Sequence, residues 1–270
     1  MNMPTIEGLL DDVRSNDPTK QVNALIELIK LHADSAVLEF VPLLASDDSD
    51  VREEAARALG FMGSAEREKV GPALLKAIND PDELVRSEIV EALGLLAYQP
   101  AIASLQSLLH NDPSWIVRAS AAEALGNFED QTLLPDLEQA LSDEEAPVAA
   151  YAASSIGLIA QPDYLPTLET FIARETVPTV KKNLIEASYR LGGKDSLQQL
   201  LDLLQMANED SAPGILNSIE ALTQQKPPTS LRKDAPRLRE ALDDLAQRLP
   251  FWKAHVEEIL EQLTKLEQAA

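Results

Sequence analysis

The chain has 270 residues and no cysteine, which excludes disulfides, thiolate catalysis and cysteine-ligated zinc or iron–sulfur clusters. Its 23 basic residues face 45 acidic ones, a net charge of −22. Such a surface repels nucleic-acid phosphates and anionic lipid, so it argues against both as partners and favours proteins that are basic or carry a basic segment.

The opening segment, MNMPTIEGLLDDVRSND, has no basic stretch followed by an apolar run and does not read as a signal peptide. No apolar stretch approaches the roughly 20 residues that span a bilayer, so the expected location is the cytoplasm. Aromatics are 4% of the chain and apolar residues 45%, mostly Ala, Leu, Ile and Val, a mix suited to close helix packing. Beyond the opening, the chain repeats itself. A valine that opens a V-R-x-x-A-A-x-A-L-G block stands at Val51, Val85, Val117, Val148 and Val180, with spacings of 34, 32, 31 and 32 residues. An earlier copy centres on Val22 and a weaker, later one near Gly214. Eight positions beyond the marker lie Leu59, Leu93, Leu125, Ile156 and Leu222, and glycine follows at Gly60, Gly94, Gly126 and Gly157. Five positions before it stand Asp17, Ser46, Asp80, Asp112, Asp143 and Glu175.

The fourth block, DPSWIVRASAAEALG from Asp112 to Gly126, reads as a turn followed by a helix. Pro113 breaks the preceding helix and Ser114 is placed to cap the next. Val117, Ala121, Ala124 and Leu125 share one helical face. Gly126 is expected to stop the helix in the left-handed conformation. Between the blocks, leucine-rich segments at 41–45, 72–78, 102–109, 134–141, 165–172 and 197–204 have the periodicity of amphipathic helices. Seven helix pairs are expected, over 4–31, 34–62, 67–97, 99–128, 131–159, 162–192 and 195–224. A pair of about 30 residues cannot bury both its apolar faces alone, so the pairs must stack. The expected fold is all-α, a right-handed α-α superhelix over residues 1–225. After Lys226-Pro227-Pro228, two further helices over 235–249 and 250–267 are expected to form a C-terminal helical cap, residues 226–270, packed on the last repeat.

The blocks VREEAARALG, VRSEIVEALG and VRASAAEALG resemble the HEAT repeat, and their short period is similar to that of the HEAT-like repeats of the phycobilisome (bilin) lyase type. The resemblance covers about residues 17–224. It implies an inter-repeat ladder between the acid before the marker helix and the arginine after the marker. The matching positions are Asp80 with Arg86 and Asp112 with Arg118, with Ser46 opposite Arg52 and Glu175 with Lys181 as a substituted version. The pattern lapses at Asp17 with Asn23 and at Asp143 with Ala149, where fewer polar ties are expected.

The marker helix is expected to line the concave side, with its +3 and +6 positions pointing into the groove. Those positions read Glu54, Arg57, Glu88, Glu91, Ser120, Glu123, Tyr151, Ser154, Asn183, Glu186, Asn217 and Glu220. They form either an acidic ridge for a basic segment of a partner or an ordinary solvated face. Trp115 stands where other blocks are small or polar, and is either a binding anchor or a wedge between repeats. Phe61, Tyr98 and Phe128 are expected to fill gaps between repeats. Arg52, Arg86 and Arg118 belong to the ladder rather than to a ligand-binding stripe. Glu88 and Glu91 have the spacing of an acid/base pair, but nothing near them supplies a nucleophile. His32, His110 and His255 show no metal-ligand spacing, and no phosphate loop or nucleophile elbow occurs. No metal and no cofactor is expected. The function expected is a non-catalytic interaction scaffold that binds a partner protein on its acidic concave face. The alternative implied by the resemblance is a bilin lyase or chromophore-handling subunit of the phycobilisome, acting as half of a heterodimer.

Overall fold

The computed structural model describes residues 5–224 and 226–268. Residues 1–4, 225, 269 and 270 lie outside these, and with them Pro4, at the expected start of the first pair, and Gln225, the last residue expected in the array. Among the described residues there are fifteen α-helices and no strand. They fall into two compact units, residues 1–140 and 141–270. The first holds α1 (Ile6–Val13), α2 (Pro18–Lys30), α3 (Ser49–Met62), α4 (Arg67–Ala77), α5 (Glu83–Leu95), α6 (Ile102–Asn111), α7 (Trp115–Gly126) and α8 (Leu134–Ala140). The second holds α9 (Ala146–Ile159), α10 (Leu165–Arg174), α11 (Pro178–Arg190), α12 (Ser196–Met206), α13 (Ala212–Gln224), α14 (Leu231–Arg248) and α15 (Lys253–Gln268).

The marker valines lie on α2, α3, α5, α7, α9 and α11, and Gly214 on α13. In the first unit α3 packs on α5 and α5 on α7, and in the second α9 packs on α11. The first helix of the second pair is a 3-10 run, Asp34–Ala45, where an α-helix is expected over 41–45. Pro42 inside it has no amide to donate and its ring crowds the carbonyl four residues back, so the tighter winding is adopted around the fully buried Phe40.

The marker helices begin as their caps dictate. Asp48 accepts from the Val51 amide at 3.2 Å and Asp82 from the Leu84 amide at 2.9 Å. Ser114 departs from the expectation. Its hydroxyl is buried and makes no hydrogen bond, and the turn is closed instead by Asp112 Oδ1, which accepts from the Ser114 amide at 2.9 Å. The same position closes the turn in the neighbouring blocks, with Asp80 accepting from Asp82, Asp143 from Glu145 and Glu175 from Val177.

The helix ends overturn the reading of the glycines. α7 runs through Gly126 and is capped by Asn127 with an ordinary right-handed backbone. Gly60 and Gly157 lie inside α3 and α9, and Gly94 inside α5. Left-handed residues come later, at Ala97 (φ 44°), Glu129 (φ 55°), Gly192 (φ 85°) and Lys226 (φ 43°), each twelve positions beyond its marker, and at His32 (φ 50°), ten beyond Val22. What the recurring glycine provides is close approach. A Cβ on Gly60 would stand 2.8 Å from Ala92 Cα, one on Gly94 2.6 Å from Ala124 Cβ, and one on Gly157 2.8 Å from Ala187 Cβ. Optimal carbon contacts are about 3.5–4.0 Å, so none of these sites admits a side chain without displacing its neighbour. Each partner is the alanine seven positions beyond the next marker. A glycine–alanine seam thus holds successive marker helices together.

In the second unit α14 packs on α12, α15 on α13, and the two on each other. They bury Leu231, Leu238, Leu242 and Leu245 from α14, and Val256, Ile259 and Leu263 from α15.

Candidate protein-binding face

The ladder positions are occupied, but the side-chain partners are one block out of step with the expected pairs. Arg52 donates through Nε and Nη2 to Asp80 at 2.7 and 2.9 Å, and Arg86 does the same to Asp112 at 2.9 and 3.0 Å. Each arginine also reaches its own block, donating to a backbone carbonyl of the turn. Arg52 Nη1 donates to the Ser46 carbonyl at 2.9 Å, Arg86 Nη1 to that of Asp80 at 2.9 Å and Arg118 Nη1 to that of Asp112 at 3.0 Å. The geometry follows from length. A carboxylate already folded back on its own turn faces the preceding block, whose arginine has five donors in a planar fork and can serve both turns. Burial raises the Asp80 carboxyl, but the hydrogen bonds from Arg52 and the Asp82 amide outweigh it and hold the group below the ordinary range. Glu175 spends its carboxylate on the Thr176 and Val177 amides, and among the described residues no ion pair joins it to Lys181.

The +3 and +6 positions of α3, α5 and α7 lie on one face and interlock. Arg57 Nη1 donates to Glu54 at 2.7 Å, while its Nη2 donates to Glu53 at 2.9 Å and across to Glu88 on α5 at 2.6 Å. Glu54 is buried, and the loss of solvent raises its carboxyl despite Arg57. Ser120 on α7 donates to Glu91 on α5 at 2.8 Å and lies 2.8 Å from Ser87 Oγ. Glu123 is exposed, yet crowding by neighbouring protein atoms and the charge of Glu91 raise its carboxyl. Among the described residues no cation stands within ion-pair distance of Glu91 or Glu123.

In the second unit the equivalent positions are mostly spent on the fold. Asn183 donates to the Ala150 carbonyl at 2.8 Å, and Glu186 is buried beneath Arg190, which donates to it at 3.1 and 3.2 Å and on to the Ala221 carbonyl at 2.8 Å. Glu220 accepts from Gln224 at 2.8 Å and from Gln262 at 3.0 Å, and stands 3.1 Å from His255 Nε2. Gln262 and His255 hold its carboxyl below the ordinary range. Tyr151 is exposed on α9.

Trp115 is the first residue of α7 and is 42% exposed. It stands about 12 Å along the axis and roughly 80° round the helix from Glu123, so the two do not form one patch. Tyr98 lies against the backbone of Gly71 and Phe128 is buried, but Phe61 is 63% exposed and fills no gap. Sequence reasoning missed Leu95, 55% exposed, at the same register as Phe61, ten positions beyond the marker. The continuation of the +3, +6 face by one more turn is the signal that finds both. His110 lies 2.8 Å from Asp136, and among the described residues no cluster of His, Asp and Glu is arranged to hold a metal.

The model of HEAT repeats matches residues 71–153 and 134–222, together more than half of the chain. The chain belongs to the HEAT-repeat family. Within it, the PBS lyase HEAT-like repeat matches residues 51–80. The fold class, all-α of the HEAT-like α-solenoid type, agrees with solved structures. One is the complex of CpcE and CpcF of phycocyanin lyase from Nostoc sp. PCC7120, at 19% identity and a TM-score of 0.59, covering 85% of this chain and 94% of that one. Another is YibA of E. coli, at 18% identity and a TM-score of 0.55, covering 97% and 93%. No curated protein matches the sequence. No helix of this HEAT-repeat protein among the described residues is long and apolar enough to cross a membrane.

Proposed function

We propose that this HEAT-repeat protein is a non-catalytic, cytoplasmic interaction scaffold that holds a basic segment of a partner protein on the acidic face of its marker helices. One observation carries the reading. Glu91 and Glu123 stand on adjacent helices with no cation at ion-pair distance among the described residues, in a chain whose net charge is −22. Two neighbouring carboxylates with no cation between them gain most from a Lys or Arg supplied from outside. In this reading residues 226–270 cap the array of residues 1–225, which is supported by the leucines that α14 and α15 bury on α12 and α13. Zero-length carbodiimide crosslinking in a native lysate, read by mass spectrometry, tests the site. Glu91 and Glu123 should couple to lysines of one recurrent partner, and Glu91→Gln/Glu123→Gln should abolish those crosslinks. Recovery of no specific partner, at low as well as physiological salt, removes the scaffold reading.

A second reading is supported by the likeness to the phycocyanin lyase complex and by the lyase-type repeat at 51–80. It makes the protein a chromophore-handling subunit that works beside a second HEAT-like chain. Bilin propionates are anionic and call for Arg or Lys, whereas Arg57 is already shared by Glu53, Glu54 and Glu88. An absorbance titration with a bilin that leaves the spectrum unchanged would eliminate it.

A further inference from the structure

Beside the acidic pair lies an apolar step that the scaffold reading does not use. Phe61 ends the solvent face of α3 and Leu95 that of α5, 63% and 55% exposed. The seam brings the two helices together at this point. A Cβ on Gly60, the neighbour of Phe61, would stand 3.5 Å from Leu95 Cδ1. Each apolar side chain is one helical turn beyond a charged one, Phe61 beyond Arg57 and Leu95 beyond Glu91, so apolar and charged groups share a face. Large apolar groups left in water on neighbouring helices, on a face shared with charge, are the mark of an interaction surface.

Resting on the scaffold reading, we infer that Phe61 and Leu95 form the apolar half of the docking site, and that its occupant is a partner segment in which Lys or Arg lies within a few residues of a large apolar side chain. Charge selects the occupant. On the same face as the step stand the carboxylates of Glu88, Glu91 and Glu123, with the Arg57 guanidinium already bound to Glu53, Glu54 and Glu88. A second copy of this chain would bring the same acidic face to the contact, and anionic lipid would be repelled for the same reason. A basic segment instead places its cation between Glu91 and Glu123 and lays its aliphatic stem and apolar neighbour on Leu95 and Phe61.

Fluorescence polarisation with labelled synthetic peptides on the full chain tests this. The probes are a peptide alternating Lys-Lys with Leu-Leu pairs and its counterpart with every Leu replaced by Ser. At physiological salt the Leu peptide should bind at least tenfold more tightly than the Ser peptide, a difference of about 1.4 kcal/mol. Phe61→Ser/Leu95→Ser should remove that preference and leave the Ser peptide unaffected, because both side chains are exposed and their loss spares the fold; unchanged circular dichroism checks this. Glu91→Gln/Glu123→Gln should weaken both peptides. Equal binding of the two peptides to the wild type, or a preference that survives Phe61→Ser/Leu95→Ser, overturns the apolar site while leaving the acidic face in place. Binding of neither peptide overturns both.

Discussion

The glycine–alanine seam makes a prediction in which two substitutions three residues apart have opposite signs. Gly94→Ala places a Cβ 2.6 Å from Ala124 Cβ and 2.7 Å from Ala124 Cα. Against an optimal separation of 3.5–4.0 Å the shortfall is about 1 Å, and one of the two atoms is backbone that no rotamer change can move aside. Overpacking of this kind costs roughly 1–3 kcal/mol, with the backbone contact pushing towards the upper part of that range. Alanine returns about 1 kcal/mol through its greater helix propensity, so the net loss is about 1–2 kcal/mol. Ala97→Gly does the reverse. Ala97 sits at φ 44°, where a Cβ costs roughly 1–2 kcal/mol. Glycine removes that strain but loses some of the gain to its freer unfolded chain, which leaves about 0.5–1 kcal/mol of stabilisation.

Urea unfolding followed by circular dichroism measures both differences. If Gly94 were the left-handed terminator that its recurrence suggests, glycine would be wanted at 94 for its backbone and would bring nothing at 97. A Gly94→Ala protein as stable as the wild type would refute the seam, and an Ala97→Gly protein less stable than it would refute the assignment of the left-handed turn to position 97.

The ladder, the acid titrations and the C-terminal junction give three further expectations. Arg86→Met leaves the buried Asp112 carboxylate without its fork and should cost about 3 kcal/mol in the same assay. The depressed Asp80 carboxyl means that the unfolded chain takes up its proton first as the solution is acidified. Its contribution is therefore complete above the ordinary Asp value of about 3.9 and is lost as pH falls through the lower folded value; the stability difference between wild type and Arg52→Met should shrink over that window. Tyr189→Phe removes the 2.8 Å hydrogen bond that the hydroxyl donates to Asp234 and should cost about 1 kcal/mol, with faster amide exchange confined to the first turn of α14.

The pairing of helices was legible because it follows from local physics. Pro18, Asp48 and Asp82 start helices by their own chemistry, and leucine periodicity marks the buried face of α6, α10 and α12. The ladder residues were legible as residue types but not as partners, because the choice between Arg86–Asp80 and Arg52–Asp80 depends on how far one block is displaced from the next. The acidic face was legible as a register, whereas its division into spent and open carboxylates was not. Arg57 pairs with Glu54 and Arg190 with Glu186 at ordinary i,i+3 and i,i+4 spacings, but Arg57 also silences Glu88 on the next marker helix, which spacing along one helix does not show. Trp115 stands out by being unusual within its block, whereas Phe61 reads as a gap-filler and Leu95 as an ordinary core leucine, because only exposure makes their shared register informative.

The glycines were misread because one residue type answers two different needs at a helix end, and only the neighbouring block distinguishes them. A terminator needs nothing from the next repeat; a seam glycine needs a small residue there. Ala92, Ala124 and Ala187 meet that need for Gly60, Gly94 and Gly157. The same pair of registers explains the sixth block. Tyr189 occupies the glycine position and Ala221 the alanine position, so α11 cannot approach α13 as closely as α9 approaches α11. The ring is buried and its hydroxyl turns to Asp234 of α14. Desolvation raises the Tyr189 hydroxyl, which keeps it a donor to that carboxylate. The seam therefore ends at Tyr189, upstream of the Lys226-Pro227-Pro228 break, and the side chain that ends it is the one that ties the C-terminal pair to α11.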